Sequence, residues 1–181
     1  MLRVRTTLYS WLERSILTLG WLRADRPGKA PECGRLVFVC TGNICRSPYA
    51  EAAARRRGLN AVSCGIDTQT GLPANATAID MARLRGVDLG SHTTTRWQDL
   101  AVGEGDLIVA MQLRHAYAVA PRARAAGCRL VMFSSLLWPH YAPIRDPYGH
   151  PREQFQQVFD LLDTGIGHAH QLFSLKVSEA R

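Results

Sequence analysis

Cys40 and Arg46 are the residues whose types and spacing best suit chemistry, because a thiol and a guanidinium lie six positions apart in a short glycine-bearing segment. A guanidinium binds phosphate oxygens through a planar, bidentate fork. A thiol beside a helix N-terminus and an arginine favours the thiolate, which is its nucleophilic form. The pair therefore predicts a thiolate that faces a bound phosphoryl group. The alternative interpretation is a buried cysteine near an unrelated arginine.

The residues around this pair predict a strand, a tight loop and a helix. Residues 36–39 form a short apolar run, which is typical of a strand buried on both faces. Gly42 and Asn43 tolerate the positive φ values that a curled loop needs. Ser47 suits the N-cap and Pro48 the first position of a helix. Consecutive backbone N–H groups then point inward at a helix N-terminus and form a cradle for an anion.

Two motifs in the sequence resemble those of the low-molecular-weight protein tyrosine phosphatases, in particular the bacterial branch associated with exopolysaccharide synthesis. Residues 40–48, Cys-Thr-Gly-Asn-Ile-Cys-Arg-Ser-Pro, resemble the phosphate-binding loop of that family. The family carries its general acid in an Asp-Pro-aromatic triplet about a hundred residues later, where this chain has Asp146-Pro147-Tyr148. The resemblance covers roughly residues 35–176.

This resemblance implies a two-step hydrolysis of a phosphate monoester that needs no metal ion and no cofactor. Cys40 attacks phosphorus, while Arg46 and the loop amides stabilise the equatorial oxygens. Asp146 protonates the leaving phenolate and then activates the water that hydrolyses the phosphocysteine. The resemblance also implies substrate contacts for the other loop residues and for the aromatic residue of the triplet: Thr41, Gly42, Asn43, Ile44, Cys45, Ser47 and Tyr148.

Three residues are implied to support the loop without reacting. Asn43 and Ser47 resemble family residues that hold the loop conformation, and the Ser47 hydroxyl is expected to donate to the thiolate. His92, in the segment Leu-Gly-Ser-His, resembles a histidine that buttresses the loop by hydrogen bonding. A core or surface histidine without such a role is the alternative.

The sequence leaves the roles of Cys45 and Arg96 undecided. Cys45 resembles a cysteine that forms a reversible disulfide with Cys40 and so protects it from over-oxidation. Its alternative role is that of a small buried hydrophobe. Arg96 stands one position later than an arginine usual in the family, which leaves its role undetermined.

Strands and helices alternate along the rest of the chain. Further strands are predicted over residues 60–64, 106–111 and 129–133, and helices over residues 48–57, 74–85, 113–125 and 151–173. Pro121 is expected to break the third helix, and Gly165 and Gly167 to bend or fray the fourth. The alternation predicts an α/β fold with a flavodoxin-like, four-stranded parallel sheet of order 2-1-3-4 and helices on both faces.

Composition and charge narrow the function classes. The 181 residues predict one domain with an N-terminal helical extension: residues 1–34 as a basic amphipathic extension and linker, and residues 35–181 as a phosphatase domain. The net charge of +7 is consistent with a field that attracts phosphorylated, acidic substrates. No nucleic-acid motif or aromatic-interleaved basic patch appears, so nucleic acid is not an expected partner.

The N-terminal extension has several open interpretations. Its apolar residues recur at helical spacing among basic residues, so residues 1–30 are a candidate for contact with a membrane surface. Packing on the domain or on a partner, partial disorder, and translation from an upstream start codon are the alternatives. Glu13 and Arg14 split the apolar run, which argues against a secretory signal. No stretch reaches the ~18 apolar residues that a membrane span needs.

The resemblance thus implies an enzyme that hydrolyses phosphotyrosine in proteins. A cytoplasmic location is predicted because a thiolate nucleophile needs a reducing compartment. The resemblance implies that the substrate is a bacterial membrane tyrosine kinase of exopolysaccharide synthesis or export. The oligomeric state is not indicated. An arsenate reductase with the same loop is the nearest alternative, but Cys64 and Cys128 lie at strand ends rather than in a mobile relay segment. A phosphate-binding module without catalysis is the other alternative.

Overall fold

The computed structural model describes residues 34–137 and 142–179, with side chains to residue 172. The predicted N-terminal extension, residue 34 apart, lies outside the described residues. Within them, no helix combines the length and the apolar character that crossing a bilayer requires.

Four parallel strands form one sheet, in the order β2-β1-β3-β4. The strands are β1 Arg35–Cys40, β2 Ala61–Gly65, β3 Asp106–Ala110 and β4 Arg129–Met132. β1 and β3 occupy the centre of the sheet, and this position explains why their apolar residues are buried on both faces. Cys40 is the last residue of β1 and is in register with Gly65 at the end of β2. The predicted α/β class and strand order are confirmed.

Helices cover both faces of this sheet. They are α1 Arg46–Arg56, α2 Ala76–Arg83, α3 Leu113–Ala125 and α4 Arg152–Glu179, and a 3-10 helix spans Phe133–Leu137. Phe38 and Cys40 face a core shared with α1 and α4, whereas Val37 and Val39 face a second core shared with α3. Alternate residues of β1 therefore serve opposite faces, as the pleat of a strand requires.

Two predicted helix features are wrong. α1 begins at Arg46 with Cys45 at its N-cap, two residues before the predicted start, because the Ser47 hydroxyl turns inward to the loop instead of capping the helix. α3 runs through Pro121 without a break. Proline deprives the carbonyl of Tyr117 of its helical partner, and Tyr117 is exposed, so water can hydrate that carbonyl.

α4 is likewise continuous through both of its glycines. At Gly165 a Cβ atom would lie 2.6 Å from Cε1 and 2.8 Å from Cζ of Phe133. The missing side chain therefore lets the 3-10 helix pack directly on α4, where His168 Nδ1 also lies 2.8 Å from the Leu136 carbonyl oxygen. A Cβ atom on Gly167, by contrast, would have open space, with no atom of the described residues within 4 Å apart from its own stretch of helix.

Candidate active site

The thiol of Cys40 lies at the base of a loop formed by residues 41–45, at the carboxyl edge of the sheet. Its side chain is buried, with 2 % of its surface exposed. The backbone N–H of Asn43 donates to Cys40 Sγ at 3.2 Å, and Ser47 Oγ lies 3.0 Å from the same sulfur. Both groups stabilise negative charge on the sulfur, since each can donate a hydrogen bond to a thiolate.

Asn43 holds the loop in its curled form. Its φ is +55°, in the left-handed region that asparagine adopts more readily than most residues. Its side-chain amide donates to Ser47 Oγ at 2.9 Å and to Ser63 Oγ at 2.8 Å, and Oδ1 accepts from the Thr95 N–H at 2.8 Å. The fully buried amide thereby ties the loop to α1, to β2 and to the segment after residue 92.

The Ser47 hydroxyl has one proton for two acceptors. Because Asn43 donates to Ser47 Oγ, the hydroxyl proton can go either to Cys40 Sγ at 3.0 Å or to the Cys64 carbonyl at 3.3 Å. The shorter distance and the charge of a thiolate both favour the sulfur. Asn43 thus orients the hydroxyl that supports the nucleophile.

His92 and Gly65 support the outside of the loop. His92 Nε2 lies 2.9 Å from the backbone carbonyl oxygen of Asn43. A Cβ atom on Gly65 would lie 2.7 Å from the Thr41 carbonyl oxygen and 3.0 Å from the Asn43 nitrogen. Only glycine therefore lets β2 approach the loop so closely.

Arg46 is a buried cation, and its Nε–H donor is not used by the hydrogen bonds that hold the side chain. Its side chain is 1 % exposed, Nη2 donates to Asp146 Oδ2 at 2.5 Å, and Nη1 donates to the Ile144 carbonyl at 3.4 Å. Nε is buried without a hydrogen-bond partner among the described residues. An unpaired buried donor is costly. A tetrahedral anion in the loop would satisfy Nε and replace the carboxylate on Nη2.

We call the region between the Cys40 loop and residues 144–148 the cleft, and Asp146 and Tyr148 lie at its exposed edge, or mouth. The Asp146 side chain is 35 % exposed, and Oδ1 accepts from the Tyr148 N–H at 3.3 Å. The Tyr148 ring is 60 % exposed. Arg114 Nη2 lies 3.7 Å from Asp146 Oδ2, so one carboxylate oxygen faces two arginines.

Three loop residues are accessible to a ligand. Thr41, Gly42 and Ile44 are half-buried, whereas Asn43 and Cys45 are buried. Arg96 is exposed, and its backbone N–H donates to Thr70 Oγ1 at 3.1 Å.

His115 is a site residue that the sequence did not reveal. The Gln112 N–H donates to His115 Nδ1 at 3.1 Å, so Nε2 carries the proton of the neutral ring and donates to Thr41 Oγ1 at 3.0 Å. Burial, with the charges of Arg46 and Arg114, lowers the pKa of His115 to about 3. Thr41 Oγ1 accepts from Arg114 as well, at 2.8 Å, which leaves the Thr41 hydroxyl proton available to an anion in the loop. The predicted strand order contained a signal for this residue. Because β3 lies beside β1, a histidine in the first turn of the helix after β3 comes close to the end of β1, where the loop begins.

At the other three described cysteines, the neutral thiol is favoured over the thiolate. Burial, with the charge of Cys40 second, raises the pKa of Cys45 and of Cys64. The half-buried Cys128 donates from Sγ to the Gly103 carbonyl at 3.3 Å, and burial raises its pKa too. All four described cysteines are free. Cys64 and Cys128 sit in or beside strands, an arrangement that does not favour a disulfide relay.

Comparisons with known proteins agree with this geometry. A sequence model of the family described as "Low molecular weight phosphotyrosine protein phosphatase" matches residues 35–178. The low molecular weight protein-tyrosine-phosphatase Etp of Escherichia coli K12 is 35 % identical over 133 residues, which are 71 % of this chain and 86 % of Etp. Wzb of Salmonella typhi, a low molecular weight protein-tyrosine-phosphatase, is 30 % identical over 71 % of this chain and 87 % of its own length.

The fold also superposes on solved structures of phosphatases. The YwlE arginine phosphatase of Geobacillus stearothermophilus superposes with a TM-score of 0.70 at 25 % identity, over 81 % of this chain and 97 % of its own. Vibrio vulnificus Wzb, in complex with benzylphosphonate, superposes with a TM-score of 0.65 at 27 % identity, over 77 % of this chain and 98 % of its own.

Proposed function

Because the chain belongs to the low molecular weight phosphotyrosine protein phosphatase family, we propose that it hydrolyses phosphotyrosine in proteins through a phosphocysteine intermediate. One observation carries the proposal. A buried thiol, a buried arginine with an unpaired Nε, and a half-exposed carboxylate meet at a single loop. They are Cys40, Arg46 and Asp146, and each type of group has a necessary part in phosphoryl transfer.

In the first step, the Cys40 thiolate attacks phosphorus in line. The S–P bond forms as the P–O bond to the phenolic oxygen breaks, and Asp146 gives that oxygen its proton. The Arg46 guanidinium and the loop N–H groups hold the equatorial oxygens, whose charge grows in the transition state. Asp146 must first leave Arg46, and the incoming phosphate displaces it because both anions compete for Nη2.

In the second step, water attacks the phosphorus of the phosphocysteine. Asp146, now a carboxylate, takes a proton from this water, the S–P bond breaks, and inorganic phosphate leaves. Ser47 Oγ and the Asn43 N–H, at 3.0 and 3.2 Å from the sulfur, stabilise the departing thiolate. The same two donors therefore serve the sulfur as nucleophile and as leaving group.

An aromatic leaving group suits the lining of the cleft. Ile44 and the exposed ring of Tyr148 supply apolar and aromatic surface near the loop and the acid. The structure of the relative Wzb from Vibrio vulnificus holds benzylphosphonate, in which an aromatic group is joined to a phosphonate. Both observations support phosphotyrosine as the substrate.

The test is turnover of para-nitrophenyl phosphate with EDTA under reducing conditions. We expect activity in wild type, none in Cys40→Ser, and a loss of about 10²–10⁴-fold in kcat for Asp146→Ala. Cys128→Ser changes a half-buried thiol away from the loop and serves as the matched control, which should keep wild-type activity. Activity in Cys40→Ser equal to wild type would exclude the proposed nucleophile.

The covalent intermediate and the substrate class need separate measurements. Mass spectrometry of the acid-quenched reaction should locate phosphate on Cys40. Because one structural relative is an arginine phosphatase, peptides with phosphoarginine are assayed beside phosphotyrosine peptides. Preferred turnover of phosphoarginine would contradict the phosphotyrosine proposal. Reduction of arsenate with thioredoxin, in place of phosphatase activity, would support the alternative with the same loop.

The partner, location and domain limits follow as parts of this proposal. The resemblance of the loop and triplet supports a membrane tyrosine kinase of exopolysaccharide synthesis as the substrate, and dephosphorylation of such a purified kinase tests it. A thiolate nucleophile supports a cytoplasmic location. The family match over residues 35–178 supports a catalytic domain at residues 35–181.

Contact of residues 1–30 with a membrane surface is a separate part of the proposal. Equal pelleting of the full chain and of a chain starting at Glu32 with anionic liposomes would argue against it.

A further inference from the structure

We infer that Arg114 selects phosphotyrosines that have an anionic group, a carboxylate or a second phosphate, on a neighbouring residue of the substrate. This inference rests on the proposed phosphotyrosine hydrolysis and assigns a specificity residue to the same cleft. Arg114 belongs to neither of the two motifs that revealed the site in the sequence.

The guanidinium of Arg114 is held at the mouth of the cleft. It lies on the second residue of α3, where Nη2 donates to Thr41 Oγ1 at 2.8 Å and Nε donates to Gln112 Oε1 at 3.2 Å. These bonds use two of its three nitrogens. Nη1 has no hydrogen-bond partner among the described residues, and 58 % of the side chain is exposed. A positioned guanidinium with free donors is a ready site for an anion.

Before a substrate binds, Asp146 is the ion-pair partner of both Arg46 and Arg114. Arg46 and Arg114 both face Asp146 Oδ2, at 2.5 and 3.7 Å, so one carboxylate serves two cations. The phosphoryl group of a substrate takes over Arg46, which is buried in the loop. Asp146 then turns to the leaving oxygen and carries a proton, so it no longer neutralises Arg114. Once Asp146 has turned away, no other acidic side chain of the described residues forms an ion pair with Arg114, so its guanidinium is available to an anion of the substrate.

The geometry of a peptide brings a neighbouring side chain to this point. If the phosphate occupies the loop and Asp146 reaches the leaving oxygen, the attached tyrosine ring extends outward past Asp146 and brings the peptide backbone to the rim of the cleft. Adjacent Cα atoms are ~3.8 Å apart, and the side chain of the next residue therefore reaches the same rim. Aspartate, glutamate or a second phosphotyrosine at that place can accept from Nη1.

The test compares phosphotyrosine peptides that differ only at one neighbouring position, which carries Asp, Asn, Lys or a second phosphotyrosine. Wild type should favour Asp over Asn by about 2–5-fold in kcat/KM, the value of an exposed ion pair, and a second phosphate by more. Salt near 0.5 M should reduce both preferences. Arg114→Gln should bring the Asp/Asn ratio close to 1, and Arg114→Lys should retain part of it.

Arg124→Gln is the matched control, because it removes the same charge from an exposed position ten residues further along α3. It should keep the wild-type Asp/Asn ratio. The inference is overturned if wild type shows no preference for an anion, or if Arg114→Gln keeps the preference as Arg124→Gln does. A preference confined to the second phosphate, or to Asp, identifies the source of the anion. The Asn peptide reports the proposed function alone, since its hydrolysis requires no anionic neighbour.

Discussion

The two walls of the cleft are built in opposite ways. The nucleophile wall consists of residues 40–47 with Ser63, His92 and Thr95 behind them. Its central side chains, Asn43 and Ser47, are fully buried and hydrogen-bonded to their surroundings. The loop is therefore formed before any ligand arrives, and a preorganised cradle has no reorganisation to undergo during the reaction.

The acid wall consists of residues 112–115 and 144–148, and its central group is only half-buried. Asp146 is held by ionic contacts to Arg46 and Arg114 and by one backbone N–H. Ionic contacts can be exchanged for those of a substrate, whereas a buried amide network cannot. The difference teaches that buried hydrogen bonds hold the phosphate side of this cleft, whereas the proton-donating side is held by contacts that a substrate can replace.

The largest expected effect comes from replacing Arg46, which belongs to the nucleophile wall and contacts Asp146 of the acid wall. Arg46→Lys removes the planar fork and leaves a point charge, so neither the phosphate oxygens nor Asp146 keep their geometry. We expect kcat/KM for para-nitrophenyl phosphate to fall about 10²–10³-fold, or ~3–4 kcal/mol. Steady-state kinetics at pH 6 measures it.

Arg35→Lys provides the matched control for that change. Arg35, at the opposite end of β1, donates to Asp106 at 2.8 and 2.6 Å, so it is likewise an arginine paired with an aspartate. Its replacement should lower Tm and keep the wild-type kcat/KM. An equal kinetic loss in both variants would mean that Arg46 acts through stability rather than through the phosphate.

The next effect concerns Asn43, whose side chain and backbone conformation are both expected to stabilise the loop of the nucleophile wall. Asn43→Gly keeps the positive φ but loses the side-chain amide, which should cost about 2–3 kcal/mol of unfolding free energy because buried partners lose their bonds. Asn43→Ala should cost a further ~1 kcal/mol for strain in the left-handed region. Urea unfolding measures both. Equal stability of the two variants would show that the backbone of the loop relaxes.

The contrast between the walls also explains what the sequence could predict. The loop of the nucleophile wall, residues 40–47, is contiguous, so its residue types, the positive φ at Asn43 and the strand before Cys40 could all be predicted from a few positions. The strand order was equally predictable, because alternating strands and helices permit few connections. Only the resemblance to a family indicated Asp146 as a site residue, and its ion pair with Arg46 was not predicted.

The remaining site residues depend on contacts that no local pattern contains. His115 and Arg114 reach Thr41 because β3 lies beside β1, which places the start of α3 against the loop. Propensity predicted Ser47 as an N-cap, whereas its hydroxyl lies against Cys40, a contact that only the resemblance implied. Gly165 was taken as a weak point of α4, although it makes room for Phe133.

A smaller effect concerns the pH dependence of the acid wall. The pKa of His115 is lowered from 6.5 to about 3, so between these values the unfolded chain binds a proton that the folded chain does not. Its contribution to stability is complete above pH 6.5 and is lost as the pH falls towards 3. We expect the histidine to account for ~2 kcal/mol of the stability lost between pH 7.5 and pH 5.

His115→Asn isolates that contribution, because asparagine cannot be protonated in this range. The pH dependence of its unfolding free energy should be flatter than that of wild type by the expected amount. His150→Asn makes the same substitution at an exposed position and should keep the wild-type slope. Identical slopes for all three proteins would show that His115 is accessible to protons in the folded state.

The smallest effect concerns a region away from both walls, the packing of Phe133 on α4. Alanine in a helix is favoured over glycine by about 1 kcal/mol, but a Cβ on Gly165 would lie 2.6 Å from the buried Phe133 ring, and overpacking costs about 1–3 kcal/mol. Gly165→Ala should therefore lower the unfolding free energy by about 1 kcal/mol net. Gly167→Ala, two positions along the same helix with open space around it, should raise it by up to about 1 kcal/mol. Opposite signs in urea unfolding would show that close approach, not helix propensity, requires the first glycine, and a gain in both variants would contradict this.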